Sequence, residues 1–177
     1  VNQNKSKFEN IAKGTDKYNK QLLEYAKDGG LITADAFKAM TEANKNYVTF
    51  ARELIGKDGK VVAAEGSSVN PFKEIKGAKL RVFPPLEQMV KNTNTIVNLV
   101  ERNKVKAEFI EMIAKKKAAA EAVNAPDPFP LYNKVNPVTT NLPKSELLSF
   151  RKDGKLQTWD VGKDLVNAFK TLDQQGA

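Results

Sequence analysis

Carboxylates, amines and hydroxyls are the reactive side chains of this chain, because its 177 residues include no cysteine and no histidine. A disulfide framework, a cysteine nucleophile, a histidine general base and a zinc centre of the usual Cys/His kind are therefore excluded. The nearest approach to an acid/base couple is Glu108 with Glu111, at i, i+3 on one helix face, the kind of carboxylate pair that glycoside hydrolysis uses. Asp35 and Glu42 form a second pair. Acid catalysis needs one carboxyl desolvated so that its pKa rises. Both pairs lie among lysines with nothing to desolvate them, and they read as solvated helix faces. Lys57-Asp58-Gly59-Lys60 and Lys152-Asp153-Gly154-Lys155 end in Gly-Lys. Neither has the upstream glycine or the following Ser/Thr of a phosphate loop, so both read as turns. Ser67 or Ser145 could form a nucleophilic pair with a lysine only by a chance meeting in space. No catalytic residue, metal ligand, cofactor or small-molecule substrate is expected, and the chain reads as a non-enzyme.

The cations suggest a different chemistry. Lys and Arg number 29 against 21 Asp and Glu, a formal charge of +8. Lys73, Lys76, Lys79 and Arg81, with Phe72 and Phe83 interleaved, would make a basic loop, and Lys115-Lys116-Lys117 a basic helical turn. These are the candidate nucleic-acid contacts, since cations neutralise phosphates and rings stack on bases. The surplus is nevertheless spread along the chain, which favours weak, salt-sensitive attraction over a concentrated site.

The elements that position these residues are mainly helical. Phe8, Ile11, Thr15, Tyr18, Leu22 and Tyr25 recur at 3-4 spacing, which predicts a helix with one narrow seam, closed by Gly29-Gly30. Thr33 is the expected N-cap of a second helix over Ala34 to Ala43, with Phe37 and Met40 inward, making a helical hairpin. Tyr47-Val48-Thr49-Phe50 is a short alternating run, and Gly56 to Gly77 reads as a long irregular connection. Pro84-Pro85 opens a run to about Val123 without Gly or Pro, whose apolar residues recur at helical spacing. At ~1.5 Å per residue this helix would be about 55 Å long. It forms a spine, or breaks where the apolar stripe lapses at Glu101-Arg102-Asn103. Ala125-Pro126-Asp127-Pro128-Phe129-Pro130, with Pro137 and Pro143, predicts an extended strap along the helices. Asp153-Gly154 between two apolar runs predicts a β-hairpin. A short amphipathic helix follows it.

The expected fold class is thus mainly α: a helical hairpin plus one long helix, with a proline-rich strap and a small β-hairpin near the C-terminus. The expected organisation is an N-terminal helical arm over residues 1–30 and a helical domain over 31–177. Within that domain the long helix takes 84–123, the strap 124–145, the hairpin 146–161 and the last helix 162–173. The longest uncharged apolar-rich stretch, Asn92 to Val100, carries three Asn and is far short of the ~18 residues a membrane span needs. The chain begins at Val1 and ends Gln175-Gly176-Ala177, which reads as a piece of a longer protein.

Several short motifs stand in a suggestive order. Asn70-Pro71-Phe72-Lys73 precedes Lys76-Gly77 and Arg81, then Pro85-Leu86-Glu87, Asn92 and Glu101-Arg102-Asn103-Lys104-Val105. This series resembles a domain associated with the large polyvalent proteins of phages and mobile elements, in which an asparagine-proline-phenylalanine loop leads through a proline into a long helix. Tyr47 to Phe50 resembles another element of that family, with Thr49 where the family has a proline, and Phe150 to Leu172 resembles its closing hairpin and helix. The resemblance covers roughly residues 30–172. It implies a non-catalytic segment of a very long internal virion protein, packaged in the capsid and ejected with the genome into the host. Enzymatic modules of such proteins, such as polymerase, transglycosylase or ADP-ribosyltransferase, lie elsewhere in the parent. The implied partners are other ejection, portal or tail proteins, or further copies of the chain. The alternative is a basic nucleic-acid-binding module.

Overall fold

A computed structural model describes residues 2–43, 53–55, 61–63 and 84–175 of the chain. The described residues are mainly helical: α1 (Asn2–Asp28), α2 (Ala34–Ala43), α3 (Pro85–Ala122) and α4 (Lys163–Gln175). They also include five short strands: β1 (Glu53–Ile55), β2 (Val61–Ala63), β3 (Asn133–Val135), β4 (Leu147–Lys152) and β5 (Lys155–Asp160). The chain divides into two compact units, residues 1–25 with 38–97 and residues 26–37 with 98–177. The Tyr47 to Phe50 run and the Asn70 to Arg81 motifs lie outside the described residues.

In the first unit, α1 is the helix its spacing predicts, but Phe8 and Ile11, which open the expected seam, are 70% and 64% exposed. Burial begins only toward the C-terminal end of the helix, where Leu23 is covered. A 3-4 pattern fixes which face is apolar; which turns of that face are covered depends on the partners that reach it. On α3 the Asn and Thr series divides between two environments. Asn94, Thr95 and Asn98 are exposed, whereas the Thr93 hydroxyl is hydrogen-bonded to that of Tyr18 and also donates to the Met89 carbonyl at 2.7 Å. Within the stretch expected to be irregular, β1 pairs antiparallel with β2, Leu54 opposite Val62. Asp58-Gly59 falls between those two apolar runs, the same hairpin signal that is read at Asp153-Gly154.

The second unit is built around a buried hydrophobic core. α1 ends in a Schellman motif: the Leu31 N–H donates to the Ala26 carbonyl and the Gly30 N–H to that of Lys27, both at 2.9 Å, with Gly30 at φ 75°. Thr33 is the N-cap of α2, its hydroxyl oxygen accepting the Ala36 N–H at 2.9 Å. α3 does not break at Glu101-Arg102-Asn103, since no Gly or Pro interrupts its backbone there. It ends on a second Schellman motif, with Asn124 at φ 52° in the left-handed position and the Ala125 N–H on the Ala120 carbonyl at 2.9 Å.

The sheet of this unit is antiparallel in the order β3-β5-β4. β4 and β5 are the expected hairpin, turning through Asp153 at φ 50° and Gly154 at φ 72°, the pair of positive angles a type I′ turn requires. β3 departs from the expectation of a plain strap. Pro130 and Pro137 leave a proline-free interval in which Asn133 to Val135 can pair with β5 as an edge strand. Ile110 and Ile113 of α3, Leu148 and Phe150 of β4, Val161, and Val166 and Phe169 of α4 form the core. Phe109 meets Phe169 edge-on, ring centroids 5.6 Å apart. Among the described residues no helix is long and apolar enough to cross a membrane.

Candidate functional site

In the second unit, Asn103 joins polar groups of three separate segments. It occupies the buried stripe of α3, between Val100 and Ile110, and is only 7% exposed. Its side-chain amide donates to the Gly29 carbonyl at 2.9 Å and to the Arg151 carbonyl at 2.7 Å, and its oxygen accepts the Arg151 N–H at 2.6 Å. One amide thereby satisfies both backbone groups of a residue on the edge strand β4, as a neighbouring strand would, and ties that edge to the α1–α2 turn. The hairpin tip adds a backbone link, the Gly154 N–H donating to the Gly30 carbonyl at 2.9 Å. The approach is close enough to require glycines. A Cβ on Gly29 would collide with Val100, and one on Gly154 would lie 2.6 Å from the Thr33 nitrogen.

Beside this clamp lies an open groove of about 520 Å³. Ala107, Ile110 and Ala114 of α3, with Phe150 and Trp159 of the sheet, supply its apolar surface. Four cations, Lys104, Lys115, Arg151 and Lys152, and four carboxylates, Asp28, Glu108, Glu111 and Asp153, also line it, so its charges balance. Glu108 and Glu111 are thus brought to one cleft, but both are exposed, and Glu111 pairs with Lys152 at 3.7 Å. The other carboxylate pair stays on the surface of α2, where Glu42 faces Lys38 at 4.0 Å. The Trp159 indole nitrogen is buried and has no hydrogen-bond partner among the described residues.

The expected basic turn divides by function. Lys115 and Lys116 are exposed. Lys117 instead turns onto the strap, its ammonium bound to Asp127 at 2.7 Å and donating to the carbonyls of Tyr132 at 2.8 Å and Phe129 at 3.0 Å. The ammonium beside Asp127, with the Phe129 N–H that the same carboxylate accepts, holds the Asp127 carboxyl below the ordinary value of 3.8. Lys73, Lys76, Lys79 and Arg81 lie outside the described residues, as do Asn70, Pro71, Phe72 and Gly77. Pro85 is the first residue of α3, where its missing N–H costs no helical hydrogen bond. Glu101 is exposed and accepts from Lys104 at 3.2 Å, while Arg102 is half-buried.

Among the described motif residues, Asn103 makes specific bonds to two other segments. In sequence Asn103 reads as a lapse in the apolar stripe, yet its position on the Ile96, Val100, Ile110 face is the available signal. A polar side chain on a buried stripe must find partners. Among the described residues no acidic cluster is arranged to hold a metal ion. No protein-family model, curated protein or solved structure matches the chain.

Proposed function

We propose that this chain is a non-catalytic assembly segment of a very large phage internal virion protein of the polyvalent kind, packaged in the capsid and delivered with the genome. Its partners are other ejection, portal or tail proteins, or further copies of itself. The supporting observation is the use made of Asn103 from the Glu101-Arg102-Asn103 motif: its amide is buried and bonded to the backbone of two other segments. A motif residue used in this way maintains a fold. The groove beside it supports the same reading, because its carboxylates are solvated or ion-paired and acid catalysis needs a desolvated one.

A nucleic-acid-binding module is the second reading, favoured by the exposed Lys115 and Lys116. It is weakened by Lys117, whose charge already serves the strap, and by the balanced charge of the groove. Mass spectrometry of purified, nuclease-treated particles tests the first reading. Peptides of this chain should be recovered from the particles, and their restriction to infected-cell cytosol would refute it. The second predicts retention of the chain on DNA that falls steeply as salt rises and drops further when Lys115 and Lys116 are replaced by Ala.

A further inference from the structure

Four oxygens converge on the Lys117 ammonium: Asp127 Oδ2 at 2.7 Å, the Tyr132 carbonyl at 2.8 Å, the Phe129 carbonyl at 3.0 Å and Asn133 Oδ1 at 3.2 Å. An ammonium has three protons, so four acceptors cannot each receive one, and the grouping is that of oxygens around a cation. All four belong to one short stretch of the strap, which is folded by its own bonds. Asp127 Oδ1 accepts the Phe129 N–H at 2.8 Å, the Tyr132 N–H donates to the Phe129 carbonyl at 3.1 Å, and the Asn133 amide donates to the Pro130 carbonyl at 3.0 Å. The Phe129 and Tyr132 rings stack at 5.8 Å. One carboxylate balances the one positive charge of the ammonium, and the oxygens stand 2.7 to 3.2 Å from its nitrogen, ordinary lengths for hydrogen bonds from a charged donor.

We propose that the strap is a monovalent-cation site formed by Asp127, Phe129, Tyr132 and Asn133, and that its occupant in this chain is the tethered ammonium of Lys117. The ligand class is a primary ammonium, or a free ammonium or potassium ion of similar size. The strap's order then depends on the charge of one amine. Because β3 begins at Asn133 and covers one edge of β5, acylating that amine would loosen the strap and leave the β5 edge open to pairing with another strand. This inference stands independently of the assembly reading.

The test is Lys117→Ala in the whole chain, followed by amide hydrogen exchange during titration with ammonium, ethylammonium, potassium or tetramethylammonium chloride at constant ionic strength. Without added cation, strap amides at 129 and 132–135 should exchange at least about tenfold faster than in the parent chain, while amides of residues 147–160 keep their protection. Ammonium, ethylammonium or potassium should restore the strap saturably. Tetramethylammonium, bulky and without N–H groups, should not. Parental protection in the variant without cation, an equal response to all four salts, or no restoration by any would overturn the proposal. Lys117→Met fills the space without charge and should leave the strap loose whatever the salt; parental protection there would show that packing holds the strap. Should Lys117→Ala lose protection throughout, Asp127→Asn tests the same cage by removing its one negative charge. Faster strap exchange with an intact hairpin supports the proposal, and unchanged strap exchange overturns it.

Discussion

Asn103 puts a donor and an acceptor within hydrogen-bonding distance of three backbone groups, the Gly29 and Arg151 carbonyls and the Arg151 N–H. Replacing it with Leu keeps comparable bulk and removes all three bonds. Because the cost of an unsatisfied buried group exceeds the net worth of a bond, the loss should be about 2–3 kcal/mol, read as a shift in denaturant midpoint. Asn103→Asp should behave differently with pH. Its carboxylate would face the Gly29 and Arg151 carbonyls, so its folded pKa would rise above the unfolded value. The variant should be most stable at low pH and lose stability as pH rises through that folded value. A pH-independent deficit would mean that water, rather than the carbonyls, solvates the new side chain. This contact was only half legible in sequence. In sequence, position 103 reads as a lapse in the apolar stripe, and its partners, 48 and 74 residues away, have no local signature.

At the scale of elements, caps and turns were the most legible features, because each is specified within a few adjacent residues. Thr33, Gly30 and Asp153-Gly154 act where their types imply. Less legible was what those turns touch. Gly154 is required twice, by its φ of 72° and by the backbone of Ile32 and Thr33 beside its α-carbon. Gly154→Ala should therefore cost more than the ~1–2 kcal/mol of a left-handed alanine alone, and calorimetry would show it as a lowered Tm. The strap should respond to acid. The Asp127 carboxyl is held below its ordinary 3.8, so its contribution is complete above that pH and is lost as pH falls through the depressed folded value. Strap amides should lose protection in that window before the β4–β5 hairpin does, and Asp127→Asn should abolish the dependence. β3 escaped sequence reading because prolines on either side of it outweighed three residues of weak strand character.

Across the whole molecule, the mainly α architecture was legible because long Gly- and Pro-free periodic runs leave few alternatives. The division into two compact units was not, since it cuts through α1, α2 and α3 where no composition change marks it. Charge is equally a property of arrangement: a chain of +8 presents a groove whose charges balance, and one of its three consecutive lysines is bound internally. On the proposed assembly reading, exposed apolar side chains such as Phe8 and Ile11 of α1 would be available to partners. The most direct test is quantitative mass spectrometry of purified phage particles before and after triggered genome release. Peptides of this chain should be abundant in full particles and depleted from emptied ones. Their absence from full particles, or their complete retention in emptied ones, would contradict an ejected assembly segment.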